Sequence, residues 1–145
     1  EGRNADPYAK IIYSRPQKKG RETFTSSNNS LAPLGKVWRT GANETTEMIV
    51  YKSFKLGGTE IEPGTYSVFT IPGESEWTLI LNSKLNTWGH FSYDKSSDKY
   101  RITGEAKSYE PLVEAFTIYF DDVKDNKSTL YMAWDTTIVE FPIEF

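Results

Sequence analysis

The chain has 145 residues, a net charge of −3 and a pI near 5.3, and it contains no cysteine. The missing cysteines exclude disulfides, thiolate metal sites and cysteine nucleophiles, and the acidic balance argues against a nucleic-acid-binding face. The length predicts one domain over residues 1–145, and no apolar run approaches the ~18 residues of a membrane span.

The first third of the chain predicts one strand and one long loop. Residues 1–7 are polar and are expected to be flexible. Residues 8–14 are rich in β formers and predict a strand, which Arg15-Pro16 ends because proline donates no hydrogen bond to a ladder. Residues 17–33 lack periodicity and predict a surface loop, with a short helical turn near residues 31–34 as an option.

Residues 35–43, Gly-Lys-Val-Trp-Arg-Thr-Gly-Ala-Asn, form the most unusual stretch of the sequence. Two glycines allow positive φ or close backbone approach. Trp38 is a large apolar body with one N–H, and Arg39 brings five donors with a permanent charge. The stretch is either a structural corner, in which Arg39 holds loop carbonyls or a carboxylate such as Glu44, or a binding or catalytic corner.

The rest of the chain consists of short alternating segments separated by turn signals such as Gly57-Gly58 and Pro72-Gly73. The segment at 99–107 is polar and is expected to be an edge strand. Altogether about eight or nine strands predict an all-β, single-domain antiparallel β-sandwich of jelly-roll-like or barrel-like form. One face of these strands is expected to point into the core, with Trp77, Leu79, Phe116, Ile118, Leu130, Met132 and Trp134.

Residues 86–93, Asn-Thr-Trp-Gly-His-Phe-Ser-Tyr, form a second aromatic and polar corner. Its His90 is the only histidine, so a zinc site with several histidines is impossible. Asp121, Asp122 and Asp125 could ligate calcium, but their spacing does not match an EF-hand loop and an acidic turn explains them more simply. We therefore expect no metal and no cofactor.

The two corners are expected to meet at one end of the fold, where binding sites are commonly built from loops. An arginine beside aromatic rings can stack on them and grip a carboxylate or phosphate. The alternative is a buried polar network that makes the fold rigid. The candidate ligand-binding residues are Arg15, Trp38, Arg39, Asn43, Trp88, His90 and Tyr93.

Several motifs are shared with one known family. They are Ser14-Arg15-Pro16 followed by Gly20-Arg21, the whole of residues 35–43, the run 63–72 with Trp77 after it, and residues 86–89 with Tyr93-Asp94. Together they resemble the bacterial "domain of unknown function 2911" family over nearly the whole chain. The resemblance implies a small all-β protein of Bacteroidetes-type bacteria that lies outside the cytoplasm, and it implies no activity.

Three functions are compatible with these features. The aromatic and polar corners favour a non-catalytic extracytoplasmic module that binds a small polar ligand or a carbohydrate. An enzyme that uses Arg39, His90 and a carboxylate such as Glu44 is an alternative, although no nucleophile–base pair is visible. The third option is a structural or interaction protein of the cell surface, which a flat apolar patch would favour.

Overall fold

The computed structural model describes residues 6–85 and 93–145. These residues form one antiparallel sheet of eight strands, which is not closed into a barrel. The all-β antiparallel fold class is therefore confirmed. The order across the sheet is β1-β2-β5-β6-β7-β8-β3-β4. The strands are β1 (Ala9–Ile12), β2 (Thr46–Val50), β3 (Phe54–Leu56), β4 (Thr59–Ile61), β5 (Gly64–Ile71), β6 (Glu76–Asn82), β7 (Asp98–Phe120) and β8 (Lys127–Glu144).

Strands β7 and β8 are longer than the sequence predicts. β7 joins the segments 99–107 and 114–120, and β8 joins 128–135 and 138–145, which the sequence predicts as separate strands. Register shifts between Ser108 and Val113 and between Val113 and Thr117 bend the hairpin without ending it. Asp135 lies opposite Val113 and has a φ of 55°. The prediction that residues 99–107 form an edge strand is wrong, since β7 lies between β6 and β8. Its polar residues cover the outer face of an antiparallel strand that is buried on one side only.

The bent sheet encloses one hydrophobic core, which draws on seven of the eight strands, β2 to β8, and on the loop after β1. All seven residues that alternation places in the core are buried, which confirms the predicted strand faces. Gly104 on β7 shows how tightly β7 packs against β8. A side chain at Gly104 would collide with the ring of Phe141 and the carbonyl oxygen of Glu140.

The long loop after β1 is not simply a surface loop. Backbone hydrogen bonds from Leu31 N to Glu22 O (2.9 Å) and from Ala32 N to Thr23 O (3.0 Å) fold it back on itself. The ring of Phe24 then reaches Trp77, with the ring centres 4.7 Å apart. The helical turn near residues 31–34 does not form. In the part of the chain that is described, the one helical element is a 3-10 turn at Lys95–Ser97.

After β1, the chain runs alongside the second half of β7 and hydrogen-bonds to it. Phe116 N donates to Pro16 O at 2.9 Å, which continues the pairing beyond β1. Tyr13 bridges the next step with its side chain, because its hydroxyl donates to Ile118 O (3.2 Å) and accepts from Ile118 N (3.0 Å). One hydroxyl thus makes both bonds that a neighbouring strand residue would make.

The substitution Tyr13→Phe tests this bridge. It removes the partner of both backbone groups of Ile118, so we expect a loss of about 1–2 kcal/mol in the free energy of unfolding. Urea denaturation followed by circular dichroism measures the loss. Tyr51→Phe, at an exposed tyrosine, serves as the matched control and should change stability by less than about 0.5 kcal/mol. Equal effects of the two substitutions would show that the bridge is not formed in solution.

Tyr66 makes stability sensitive to alkaline pH. Burial raises its pKa to about 12, with smaller contributions from Tyr100 and Glu62, and its hydroxyl donates to Glu62 O at 2.6 Å. Because the unfolded chain ionises this tyrosine near pH ~10, its contribution is complete below that pH and is lost as the pH rises towards 12.

We therefore expect stability to fall by about 2–3 kcal/mol more in the parent protein than in Tyr66→Phe between pH ~10 and ~12. Denaturant titrations across that range give the comparison. Parallel pH profiles for the two proteins would contradict the assigned pKa of Tyr66.

Candidate functional site

The first corner, residues 35–43, runs along the end of β5. Trp38 N donates to Thr70 O at 2.7 Å, and Thr70 N donates to Trp38 O at 2.9 Å. The hydroxyls of Thr40 and Thr70 hydrogen-bond at 3.0 Å. Thr46, at the start of β2, donates its hydroxyl to Thr40 O at 2.6 Å. These bonds fix the corner to two neighbouring strands.

Trp38 points into the core and is only 6% exposed. Its ring is stacked on Trp134, with centres 5.7 Å apart and planes at 11°. The ring also meets Phe116 at 4.9 Å and the edge of Trp77 at 6.1 Å. Trp38 therefore anchors the corner in the hydrophobic core.

Arg39 follows Trp38 and lies on the other side of the backbone, since successive side chains of an extended chain alternate. The pairing of Trp38 with Thr70 places Arg39 beside Phe69. Arg39 is half-buried. Its Nε is fully buried and has no hydrogen-bond partner among the residues that the structure describes.

The other three arginines of residues 6–85 and 93–145 differ from Arg39. Arg15 Nε donates to Phe116 O at 3.1 Å, Arg21 Nε donates to Lys18 O at 3.1 Å, and Arg101 Nε donates to Asp98 Oδ2 at 3.0 Å. Arg15 also bonds Thr117 Oγ1 at 3.0 Å. This predicted site residue thus ties the chain after β1 to β7.

The backbone of the corner is left-handed at two positions after Arg39. Thr40 has a φ of 59°, which β-branched residues avoid, and Asn43 has a φ of 58°, which asparagine adopts readily, so Thr40 is the strained residue. A side chain at Gly41 would lie 3.1 Å from Ser14 O. Such strain costs of order 1–3 kcal/mol per residue and is concentrated at functional sites. Asn43 is exposed at the end of the corner.

Of the second corner, only Tyr93 is described, and Trp88 and His90 lie outside the described residues. The ring of Tyr93 packs on Phe69 with centres 4.8 Å apart. Its hydroxyl donates to Asp98 Oδ2 at 2.7 Å and accepts from Arg101 Nη2 at 3.0 Å. Burial, and then the hydrogen bond with Asp98, raise the pKa of Tyr93. Arg39 and Tyr93 therefore both lie beside Phe69.

Comparison with known proteins identifies the family. A family model described as "Protein of unknown function (DUF2911)" matches residues 3–143. The chain belongs to this family. It is also 32% identical over 114 residues to Protein Ycf2 of Anthoceros angustus, an alignment that covers 78% of this chain and 4% of that protein. The chain spans about 4% of the length of this relative. No solved structure matches.

The described parts of this DUF2911 chain contain neither a cluster of metal ligands nor a membrane-spanning helix. No group of three or more His, Cys, Asp or Glu side chains there could hold a metal ion, and no helix there is long and apolar enough to cross a membrane. The acidic segment after β7 forms a turn. Asp121 Oδ1 accepts from Asp122 N at 2.8 Å, and Asp125 has a φ of 53°.

Sequence reasoning missed the residues that position Arg39. Thr70 and Thr46 are ordinary strand residues in the sequence, and Phe69 differs little from other alternating aromatic residues. Their importance depends on the pairing of Trp38 with Thr70, which joins residues that are far apart in the chain. The one local signal is Gly41, which permits the close approach to Ser14.

Proposed function

We propose that this DUF2911 protein is a non-catalytic module that binds a small polar ligand or a carbohydrate, and that Arg39 holds an acidic group of that ligand. The observation that carries the proposal is the buried Nε of Arg39, which lacks a partner in the described structure. A buried guanidinium donor without an acceptor is costly. A carboxylate or phosphate oxygen that enters beside this half-buried side chain would satisfy the donor, and the planar fork of arginine suits both groups.

The rigid surroundings of Arg39 support a binding role. Trp38 is fixed in the core, and Thr40 is held by Thr46 through its carbonyl oxygen and by Thr70 through its hydroxyl. A donor on such a support loses little freedom when a ligand binds, so more of the interaction energy appears as affinity. The left-handed backbone at Thr40 costs stability and is consistent with a conformation kept for function.

An enzyme based on Arg39, His90 and Glu44 is less well supported. Glu44 is exposed, and the ion pairs among the described residues do not join it to Arg39. Recovery of an unchanged ligand after prolonged incubation would fit a binding module, whereas conversion of the ligand would favour the enzyme. The extracytoplasmic location is part of the proposal and rests on the family resemblance. Cell fractionation of a bacterium that produces the protein tests it.

The binding proposal is tested by calorimetric titration with inorganic phosphate, acetate and D-glucuronate. We expect saturable binding of at least one probe and a loss of about tenfold or more in Arg39→Lys, because lysine lacks the planar fork. Arg21→Lys is the matched control, since the Arg21 guanidinium already bonds Lys18 O and Gln17 O on the surface. It should leave affinity unchanged.

The same variants decide between a site and a structural network. For a site, Arg39→Lys changes the free energy of unfolding by less than about 1 kcal/mol. A loss of about 1–3 kcal/mol without any effect on probe binding would instead identify Arg39 as a member of a buried network. That result would overturn the proposed role of Arg39.

A further inference from the structure

A concave surface lies on the outer face of β6, β7 and β8, and its lining residues are distinct from those of the Arg39 corner. It is a groove of about 370 Å³. Thr129 comes from the first half of β8 and Glu140 from the second, so the groove spans both halves of this strand. Its walls are formed by Glu76, Thr103, Glu105, Thr129, Glu140 and Pro142.

Charged side chains form a row across the groove. Glu76 is paired with Glu105 across β6 and β7, and Glu105 with Glu140 across β7 and β8. Like charges directly opposite each other are unfavourable in a sheet. Lys107 offsets part of the repulsion, with Nζ at 3.1 Å from Glu140 Oε2 and 3.8 Å from Glu105 Oε2. The row thus offers carboxylate acceptors and one cationic donor, and they are spaced as neighbouring strands of a sheet are.

A pair of stacked tyrosines borders these charges. Tyr119 and Tyr131 are cross-strand partners with ring centres 4.9 Å apart and planes at 22°. Tyr119 is 40% exposed, and Tyr109 nearby is 38% exposed. Tyr131 acts electrostatically on the pKa of Lys107, after the larger effects of Glu140 and Glu105. Glu140 in turn adds to the raised pKa of Tyr119, whose main cause is burial. Tyr131 also lies two residues along β8 from Thr129, which lines the groove, so the two side chains are on the same face of the strand and the rings border the groove.

The chemistry of this surface selects one class of ligand. Exposed aromatic faces bind flat apolar surfaces, and the row beside them binds hydroxyl groups as donor and as acceptor. An anionic ligand would be repelled by three glutamates. A cationic ligand would meet Lys107, which already lies between Glu105 and Glu140. A pyranose ring has an apolar C–H face and a rim of neutral hydroxyls, and it suits both halves of the surface.

We propose that this groove binds a neutral oligosaccharide, with one sugar ring against the Tyr119–Tyr131 pair and its hydroxyls hydrogen-bonded to Glu140, Lys107 and Glu105. The site is independent of the Arg39 corner, because it lies on other strands and takes a ligand without an acidic group. Failure of one proposal therefore leaves the other unaffected.

The probes are cellohexaose, xylohexaose, mannohexaose and chitohexaose, titrated into the full chain by calorimetry. We expect saturable binding of at least one, with Kd below about 1 mM, as is reached by a modest set of contacts. Tyr119→Ala should weaken that binding by about tenfold or more, and Glu140→Gln by several-fold. Tyr51→Ala, at a tyrosine that is 47% exposed elsewhere on the surface, should leave it unchanged.

Three results would overturn this proposal: no binding of any of the four probes, an unchanged affinity in Tyr119→Ala, or an equal loss in Tyr51→Ala. Circular dichroism checks that each variant is folded. Where Tyr119→Ala does not fold, Glu140→Gln and Lys107→Met decide the question. Unchanged affinity in both would then reject the groove as the site.

Discussion

Replacing Trp38 with alanine is expected to lower the free energy of unfolding by about 3–5 kcal/mol, the range for a fully buried large aromatic residue. Trp38 is 6% exposed and stacks on Trp134 at 5.7 Å. Its removal leaves a cavity at the place where the corner meets the core. Guanidinium denaturation followed by circular dichroism measures the loss without relying on tryptophan fluorescence.

Arg39→Lys is the natural control for this experiment, because the two residues are adjacent and face opposite sides of the backbone. Its effect on stability should stay below about 1 kcal/mol. A loss of similarly small size for Trp38→Ala would contradict the packing described for Trp38 and would reopen a surface role for this ring.

The substitution Ile118→Ala is expected to cost about 2–4 kcal/mol. Ile118 is 8% exposed and belongs to the core cluster, and its backbone is held by the hydroxyl of Tyr13. Ile12→Ala is a matched control at an isoleucine that is 50% exposed, and its cost should stay within about 0.5 kcal/mol. Urea denaturation compares the two. Equal costs would mean that the inward face of β7 is assigned incorrectly.

Much of the fold was predictable because alternation is a local signal. Trp77 and Leu79 occupy one side of β6 in the sequence and are buried there in the structure. The continuity of β7 and β8 was not predictable. Asp135 is the residue at which the core-facing side of β8 changes, but in the sequence it resembles an ordinary polar break. Its left-handed backbone is stabilised by contacts with distant residues, such as the hydrogen bond that Thr23 Oγ1 donates to Asp135 Oδ2 at 2.8 Å.

The candidate site was predictable as a stretch of unusual composition, but its individual roles were not. In the sequence, Trp38 and Arg39 are equally good candidates for site residues. The pairing of Trp38 with Thr70 distinguishes them, because it places Trp38 in the core and Arg39 on the opposite side of the backbone. Arg15 reads as a ligand-binding arginine, yet its guanidinium is bonded to Phe116 O and Thr117 Oγ1. In each case the decisive partner is distant in the chain, so the local sequence does not reveal it.

The most direct test of the central proposal observes the Arg39 guanidinium itself. Arginine Nε–H signals are recorded by ¹⁵N–¹H nuclear magnetic resonance, and Arg39→Lys assigns the Arg39 signal by its disappearance. On titration with phosphate, acetate and D-glucuronate, we expect the Arg39 signal to shift saturably with at least one probe. The signal of Arg21, whose Nε is bonded to Lys18 O, should stay in place. An Arg39 signal that moves no more than that of Arg21 with all three probes would contradict the proposed binding role.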